Sequence, residues 1–234
     1  SSPATIGEES GDTHALNALK GVAMNAATTI VPFGIARWAR VGAEAAFVAR
    51  AATLIENPAA FKIAGFLVGT TTEAGAFTLS NMTLQSMMTG STANWNIKNF
   101  GKEFGSMMVT FVLLHGVSMR MEKVGKSLEK AGALDTSIGK TTFGAASWGV
   151  RVGSFTATEY INEAIGLKEH ENVPLWMRLL SSAITDAQMV KAGKVVDILS
   201  GGKISKTEQA TQLKYKAHEI LPTLKKIGFD FNPN

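Results

Sequence analysis

The chain has 234 residues, of which 45% are hydrophobic and 18% charged, so it can form one sizeable core or two small ones. It contains no cysteine, which excludes disulfides and thiolate chemistry. The formal net charge is +4, with basic residues interspersed among acids and only 2 tyrosines. A nucleic-acid interface needs a denser basic stripe with stacking aromatics, so we expect no nucleic-acid binding.

The N-terminal residues 1–11 contain little apolar character and neither a starting methionine nor a signal-peptide pattern. They predict a linker over 1–11 and a single soluble α-helical domain over 12–234, excised from a larger, bacterial protein. Cysteine-free chains occur both in the bacterial cytoplasm and among exported bacterial proteins, so the composition favours neither compartment.

Helical periodicity predicts seven helices, and no strand pattern stands beside it. In chain order the helices cover about 12–30, 32–56, 58–89, 95–131, 141–166, 174–199 and 205–227. The first two are separated at Val31-Pro32, because the residue before a proline avoids the α region. The fold class is therefore all-α, an irregular bundle of about six or seven helices.

Local signals set several helix ends. Asn57-Pro58 places a capping side chain before a proline at the first helical position. Gly132 predicts a C-terminal stop. Capping boxes over 70–73 and 205–208 predict an interruption of the third helix at Gly69 and the start of the last helix at Ser205.

The last helix shows apolar residues at a spacing of three and four, with lysines between them. This pattern predicts a one-sided surface helix that buries its apolar stripe. The stripe consists of Ala210, Leu213, Ala217, Ile220, Leu224 and Ile227.

Two stretches of the chain resemble each other and predict a duplicated helical hairpin over 64–131 and 144–200. In each, a glycine for close helix packing and a phenylalanine that fills the adjacent hole precede a tryptophan that opens a long helix. The paired residues are Gly75, Phe77 and Trp95 in the first stretch and Gly153, Phe155 and Trp176 in the second. Chance similarity in a chain rich in Gly, Ala and Thr is the alternative. Gly101 and Gly105 add a second close-packing pattern on the fourth helix.

Charged residues interrupt segments that otherwise look buried, at Glu44, Glu73, Arg151 and Glu159. Buried charges are costly unless paired, so these four either form an interior polar network or lie at helix boundaries in contact with water. We favour the boundary interpretation.

The patterns expected of catalytic, nucleotide or metal sites do not occur. None of the four histidines follows a glutamate by three residues, and no His-Glu-x-x-His, Gly-x-Ser-x-Gly or P-loop pattern is present. We expect no catalytic residue, cofactor or metal. His115, alone in an apolar helix, is expected to be a hydrogen-bonded core or boundary residue.

Methionines cluster in the middle of the chain, and methionine adapts to irregular shapes. Gap-filling in the core is the favoured interpretation. The alternative is an apolar-ligand pocket formed by Met82, Met107, Met108 and Phe111.

The charge-free segment from Phe104 to Met119 is shorter than the roughly 20 residues that a membrane span needs. We therefore expect no constitutive transmembrane helix, although conditional insertion remains an alternative.

The sequence thus favours a non-enzymatic scaffold or interaction module that binds flanking domains or a protein partner. A membrane-active domain and an apolar-ligand-binding domain are the alternatives.

Overall fold

Six helices account for most of the computed structural model, which describes the backbone of residues 8–228 and the side chains of residues 28–228. No strand occurs over this part of the chain, so the all-α prediction is confirmed. The helices are α1 (Glu8–Ala51), α2 (Pro58–Thr89), α3 (Ile97–Lys130), α4 (Ser137–Ala164), α5 (Leu175–Leu199) and α6 (Lys203–Lys226). The duplicated hairpin stays a prediction.

The helix ends follow local capping chemistry. The Asn57 side chain accepts hydrogen bonds from two backbone amides of the first turn of α2, with Pro58 at the first position, as predicted. Asn96 and Thr136 cap α3 and α4 in the same way, each accepting one amide hydrogen bond. Gly132 adopts a φ of 72° just after α3, which confirms the predicted stop.

The predicted break at Val31-Pro32 is wrong, because α1 runs through Pro32 without interruption. A proline inside a helix removes one hydrogen bond and crowds the preceding turn. Here Pro32 is fully buried and is followed by the buried Phe33, so packing against neighbouring helices offsets that cost. The two helices predicted on either side are one. This helix begins at Glu8, inside the segment 1–11 predicted as a linker, and residues 1–7 lie outside the described part.

Both predicted capping boxes are also wrong. Gly69 lies inside the continuous helix α2, and the side chains after it face α1 instead of capping a new helix. Helix α6 begins at Lys203, directly after Gly202 in a left-handed conformation. The Ser205 amide donates a hydrogen bond of 3.0 Å to the Asp197 side chain of α5, so α5 supplies the cap.

The first five helices form a closed ring. Each contacts the next in the chain, α5 contacts α1, and α6 packs against α1, α2 and α5. The centre of the ring is apolar and aromatic: the ring centroids of Phe33 and Phe77 lie 4.8 Å apart, and those of Phe77 and Phe111 lie 6.1 Å apart. The central cluster consists of Phe33, Ala36, Ala74, Phe77, Phe111, Leu114, Phe155 and Ala192.

A smaller cluster attaches α6, and it corrects the predicted orientation of that helix. Tyr215 and His218 are buried against Phe61 of α2, with ring centroids 5.3 and 4.3 Å away. The predicted apolar stripe is turned outwards, since Leu213 and Ile220 are exposed. Periodicity favoured the aliphatic face, but the structure buries the aromatic face, which brings the Tyr215 hydroxyl to the Glu44 carboxylate on α1.

We predict that Phe111→Ala lowers the free energy of unfolding by about 3–5 kcal/mol, because Phe111 is fully buried in the central cluster, to which five helices contribute. Denaturant-induced unfolding measures the loss. The adjacent Val112, which is exposed, provides the control, and Val112→Ala should cost less than about 1 kcal/mol. Equal losses for the two variants would contradict the central position of Phe111.

Candidate interaction surface and interior polar clusters

An ion cluster joins α1, α2 and α3 inside the bundle. The Arg40 guanidinium donates hydrogen bonds to Glu73 at 2.9 Å and to the Thr70 hydroxyl at 3.3 Å. The His115 Nε2 atom lies 2.5 Å from the same Glu73 oxygen. The carboxylate is almost completely buried and is held by two cationic or hydrogen-bonding groups from different helices. Such a buried group is tolerated only because it is paired.

Glu44 extends this cluster to α6. Its carboxylate accepts a hydrogen bond of 3.0 Å from the Tyr215 hydroxyl and lies 3.7 Å from the Arg40 guanidinium. Gly65 makes room for the tyrosine, since a Cβ atom there would lie 1.7 Å from the Tyr215 hydroxyl. Any side chain at position 65 would therefore displace Tyr215 and weaken the attachment of α6.

Burial determines how the acids of this cluster titrate. Burial raises the pKa of the Glu44 carboxyl above its ordinary value, and the favourable charge of Arg40 only partly opposes it. Burial, followed by the charge of Glu44, also raises the pKa of the Tyr215 hydroxyl. Tyr215 therefore stays neutral and serves as a hydrogen-bond donor.

We predict that Glu73→Ala destabilises the bundle by up to about 3–5 kcal/mol, since it leaves the largely buried Arg40 charge with only the more distant Glu44 carboxylate, at 3.7 Å. The matched control is Glu208→Ala, which removes the exposed ion pair with Arg37 and should cost less than about 1 kcal/mol. Urea unfolding of both variants provides the comparison. If both lose the same stability, the Glu73 cluster does not hold the helices together.

We predict that Glu44→Gln gains stability relative to the native chain as the pH rises from about 4 to 7. A folded-state pKa raised above the unfolded one contributes stability at low pH that is lost as the pH rises through the folded value. Glutamine cannot ionise and so does not suffer this loss. The difference in the free energy of unfolding, measured at several pH values, should change steadily; a constant difference contradicts the prediction.

A second set of interior polar contacts joins α4 to its neighbours. The Arg151 guanidinium donates hydrogen bonds of 2.9 and 3.3 Å to the buried Asp186 carboxylate on α5. The Thr156 and Ser182 hydroxyls lie 2.8 Å apart between the same two helices. On the other side of α4, the Asn162 amide donates a hydrogen bond of 2.9 Å to the Ser106 hydroxyl on α3. Hydrogen bonds therefore contribute much of the packing around α4.

Arg178 fastens the connection between α4 and α5. Its guanidinium is buried and donates a hydrogen bond of 2.6 Å to Glu163, another to the backbone carbonyl of Glu171, and lies over the Tyr160 ring at 4.5 Å. The hydrogen bond from Arg178 lowers the pKa of the Glu163 carboxyl. Glu159 lies 3.7 Å from Arg178, and burial raises the pKa of its carboxyl.

The four charged residues singled out from the sequence thus lie in two separate regions. Glu44 and Glu73 share Arg40 between α1, α2 and α3, whereas Arg151 pairs with Asp186 and Glu159 lies near Arg178. Each lies close to a partner of opposite charge, but no single contact network joins all four among the described residues.

The first half of α5 has its charged residues inside and most of its large apolar residues outside. Arg178, Ser182 and Asp186 recur every four residues and are all buried. They include both charged residues between Leu175 and Val190, so no charged side chain is exposed over that stretch. The large apolar residues exposed there are Leu175, Trp176, Met177, Leu179, Leu180, Ile184 and Val190.

Helix α4 continues this uncharged exterior. Between positions 141 and 158 the one charged residue is Arg151, which is paired with Asp186. We define the outer surface of α4 and α5 by six exposed residues: Val150, Tyr160, Ile161, Trp176, Leu180 and Ile184. Contiguous exposed apolar surface of this kind is uncommon on monomeric soluble proteins and is typical of interaction sites and ligand grooves.

The residues predicted for helix packing fall into three environments. Phe77 and Phe155 lie in the central cluster, and Trp95 and Trp176 are exposed. A Cβ atom on Gly75 would lie 3.8 Å from Phe104, and one on Gly105 would lie 3.3 Å from Leu167, so both approach a neighbour closely. A Cβ atom on Gly101 or Gly153 would meet open space.

The residues predicted for an apolar pocket also divide. Met107, Met108 and Phe111 pack in or against the central cluster. Met82 lines a cavity of about 300 Å³ whose other walls are mainly polar, including Gln85, Asn99, Lys102 and Glu103. The structure therefore places these four residues in two environments, and apolar-ligand binding stays a prediction.

By length and composition, α3 is the one helix of the described part that could cross a membrane. The mean hydropathy of its most apolar window is 1.3, and 22% of that window is buried. Core helices of soluble proteins pass the same criterion. Over the side chains that the structure describes, no group of three or more His, Asp or Glu residues could hold a metal ion.

Sequence reasoning missed Arg40, Arg178 and Asp186. Each is a charge inside an apolar helix, which is the same signal that pointed to Glu44 and Glu73. The spacing of Arg178, Ser182 and Asp186 by four residues was a further sign of a buried polar stripe.

The chain matches no family of known proteins, no curated protein and no solved structure.

Proposed function

We propose that this protein is a non-enzymatic helical interaction module whose binding surface is the outer surface of α4 and α5. The observation that carries this proposal is the inverted polarity of α5. In its first half, the charged side chains of Arg178 and Asp186 and the Ser182 hydroxyl make contacts inside the bundle, and the large side chains exposed there are apolar.

The apolar exterior of α5 is fixed by the hydrogen bonds that its polar residues make inside the bundle. Rotating α5 to bury Leu180 and Ile184 would expose Arg178 and Asp186, but it would also break their hydrogen bonds to Glu163 and Arg151. Removing one partner of a buried charge pair costs about 3–5 kcal/mol. Because the polar contacts fix the helix orientation, the apolar exterior is a stable property that another surface can cover.

Site-specific photocrosslinking in cells that produce the protein tests this proposal. A photoreactive benzoylphenylalanine replaces Leu180 or Ile184 in turn, and replaces Leu213 in the control. Leu213 is similarly exposed but lies on α6, which does not contact α4. We expect adducts with a binding partner from positions 180 and 184 and at most a small fraction as many from position 213.

A second experiment tests whether adducts formed from α4 also require the apolar residues of α5. The probe is moved to Ile161 of α4, and Leu180→Glu/Ile184→Glu is introduced on α5. Loss of the adducts is expected, because two charges on α5 would prevent the partner from covering either helix. Adducts that are no more frequent at 180 and 184 than at 213 would refute the proposed binding surface.

A membrane-active domain is the second candidate function, and one observation favours it. Helix α3 is long and apolar enough to cross a membrane, and most of its apolar window is not buried. Insertion of α3 would require the bundle to open and would release dye trapped in phospholipid vesicles. Retention of the dye at acidic and at neutral pH contradicts this candidate.

A further inference from the structure

We propose that the occupant of the outer surface of α4 and α5 is the interfacial layer of an anionic lipid bilayer, on which the folded bundle lies flat. This inference rests on the proposed function and names the partner of the same surface. It differs from helix insertion, because the bundle stays folded and α3 keeps its place in the ring.

The distribution of residue types along α5 supports a lipid surface. Trp176, Leu180, Ala183, Ala187, Lys191 and Lys194 recur at intervals of three and four residues, which places them on one side of the helix. This side begins with an exposed tryptophan, continues with aliphatic side chains and ends with two exposed lysines. Helices that lie in a membrane interface combine tryptophan and aliphatic residues with lysines that reach lipid headgroups.

Tyr160 adds a second amphipathic aromatic residue beside this stripe. It is exposed on α4, and its ring contacts the guanidinium of Arg178 at the connection between the two helices. Tryptophan and tyrosine are enriched at the level of lipid headgroups, where one part of the ring is apolar and the other is hydrated. Tyr160 and Trp176 therefore mark one end of the surface as interfacial, and Lys191 and Lys194 mark the other.

The net charge around Lys191 and Lys194 also favours an anionic lipid surface. Adjacent helices run antiparallel: Thr156 lies opposite Ser182, and Arg151 lies opposite Asp186. Asn162, near the end of α4, likewise lies opposite Ser106 in the first half of α3. The C-terminal ends of α3 and α5 therefore lie beside the N-terminal end of α4. Over 120–140 and 191–197 this end has seven basic and four acidic side chains. The basic excess complements anionic headgroups and would draw the protein to such a membrane.

The interior of α4 and α5 is consistent with a lipid exterior. Where lipid covers the outside of a helix bundle, interhelical contact relies on small residues and hydrogen bonds between polar side chains. The contacts between Thr156 and Ser182 and between Arg151 and Asp186 are of this kind. A protein partner would account for the exposed tryptophan, which is enriched at protein interfaces. Lysine is depleted at such interfaces, so the lysine end of the stripe favours lipid.

Flotation of the purified full chain with vesicles tests the inference. Two kinds of vesicle are compared: phosphatidylcholine mixed with phosphatidylglycerol, and phosphatidylcholine alone. We expect the native chain to float with the anionic vesicles and Leu180→Glu/Ile184→Glu to remain unbound. Leu213→Glu on α6 is the matched control and should float like the native chain. Far-UV circular dichroism and the unfolding midpoint verify that each variant is folded.

A lysine variant tests the charge contribution separately. Lys191→Ala/Lys194→Ala should bind anionic vesicles roughly thirty-fold more weakly, from about 1 kcal/mol per lysine near such a surface. Its binding to phosphatidylcholine alone should equal that of the native chain. Vesicle dye should be retained throughout, which separates surface binding from helix insertion.

Other outcomes would overturn the inference. Absence of native flotation on both kinds of vesicle would do so, as would flotation that survives Leu180→Glu/Ile184→Glu. A dimer in sedimentation that this double variant dissociates, without flotation, would assign the surface to a second copy of the chain. Photocrosslinks from positions 180 and 184 to a protein and not to lipid would refute the bilayer but leave the proposed interaction module intact. Absence of adducts at both positions would refute that module as well.

Discussion

The buried polar stripe of α5 is the constraint on which the rest of this structure depends. Among the described residues, the polar partners of Arg178, Ser182 and Asp186 lie on α4 and the connection before α5, and they include Glu163, Thr156 and Arg151. Leaving any of the charged members buried and unpaired would cost several kcal/mol. The stripe therefore fixes the rotation of α5 and turns its aliphatic residues outwards. The candidate binding surface follows from this interior pairing, since hydrophobic burial alone would favour the opposite rotation.

A second cluster of ion pairs and hydrogen bonds joins the helices on the opposite side of the bundle, but there the cluster is covered by another helix. Arg40 pairs with Glu44 and Glu73. Tyr215 of α6 donates a hydrogen bond to Glu44, and His115 of α3 contacts Glu73. Four helices are thereby connected through ionisable groups around an aromatic centre. There the charged helix α6 covers the cluster, whereas the apolar residues on the outer surface of α4 and α5 are exposed in the described part of the chain. The ring therefore has one side covered by a polar helix and one side that exposes apolar residues.

The sequence predicted the fold class and most helix ends because these depend on local chemistry. Asn57-Pro58 and Gly132 act within a few residues, so their effects are visible without tertiary contacts. Pro32 was misread because the packing that offsets its cost comes from other helices. The buried face of α6 was misread because Tyr215 is selected by Glu44, which lies 171 positions away in the chain. The outer surface of α4 and α5 could not be inferred from composition, since apolar residues there were assumed to be core. The contacts of Arg151 with Asp186 and of Arg178 with Glu163 show that polar groups occupy the interior there, so the apolar residues lie outside.

Thiol labelling along α5 in aqueous solution tests the central claim most directly, namely that α5 buries its polar stripe and exposes its apolar one. The native chain contains no cysteine, so single cysteines at positions 180, 182 and 184 report only their own accessibility. We predict rapid labelling of Leu180→Cys and Ile184→Cys. Labelling of Ser182→Cys should be slower by at least about tenfold, since a buried thiol reacts only when the helix opens locally. Labelling of Ser182→Cys as fast as that of Ile184→Cys, in a folded chain, would contradict it.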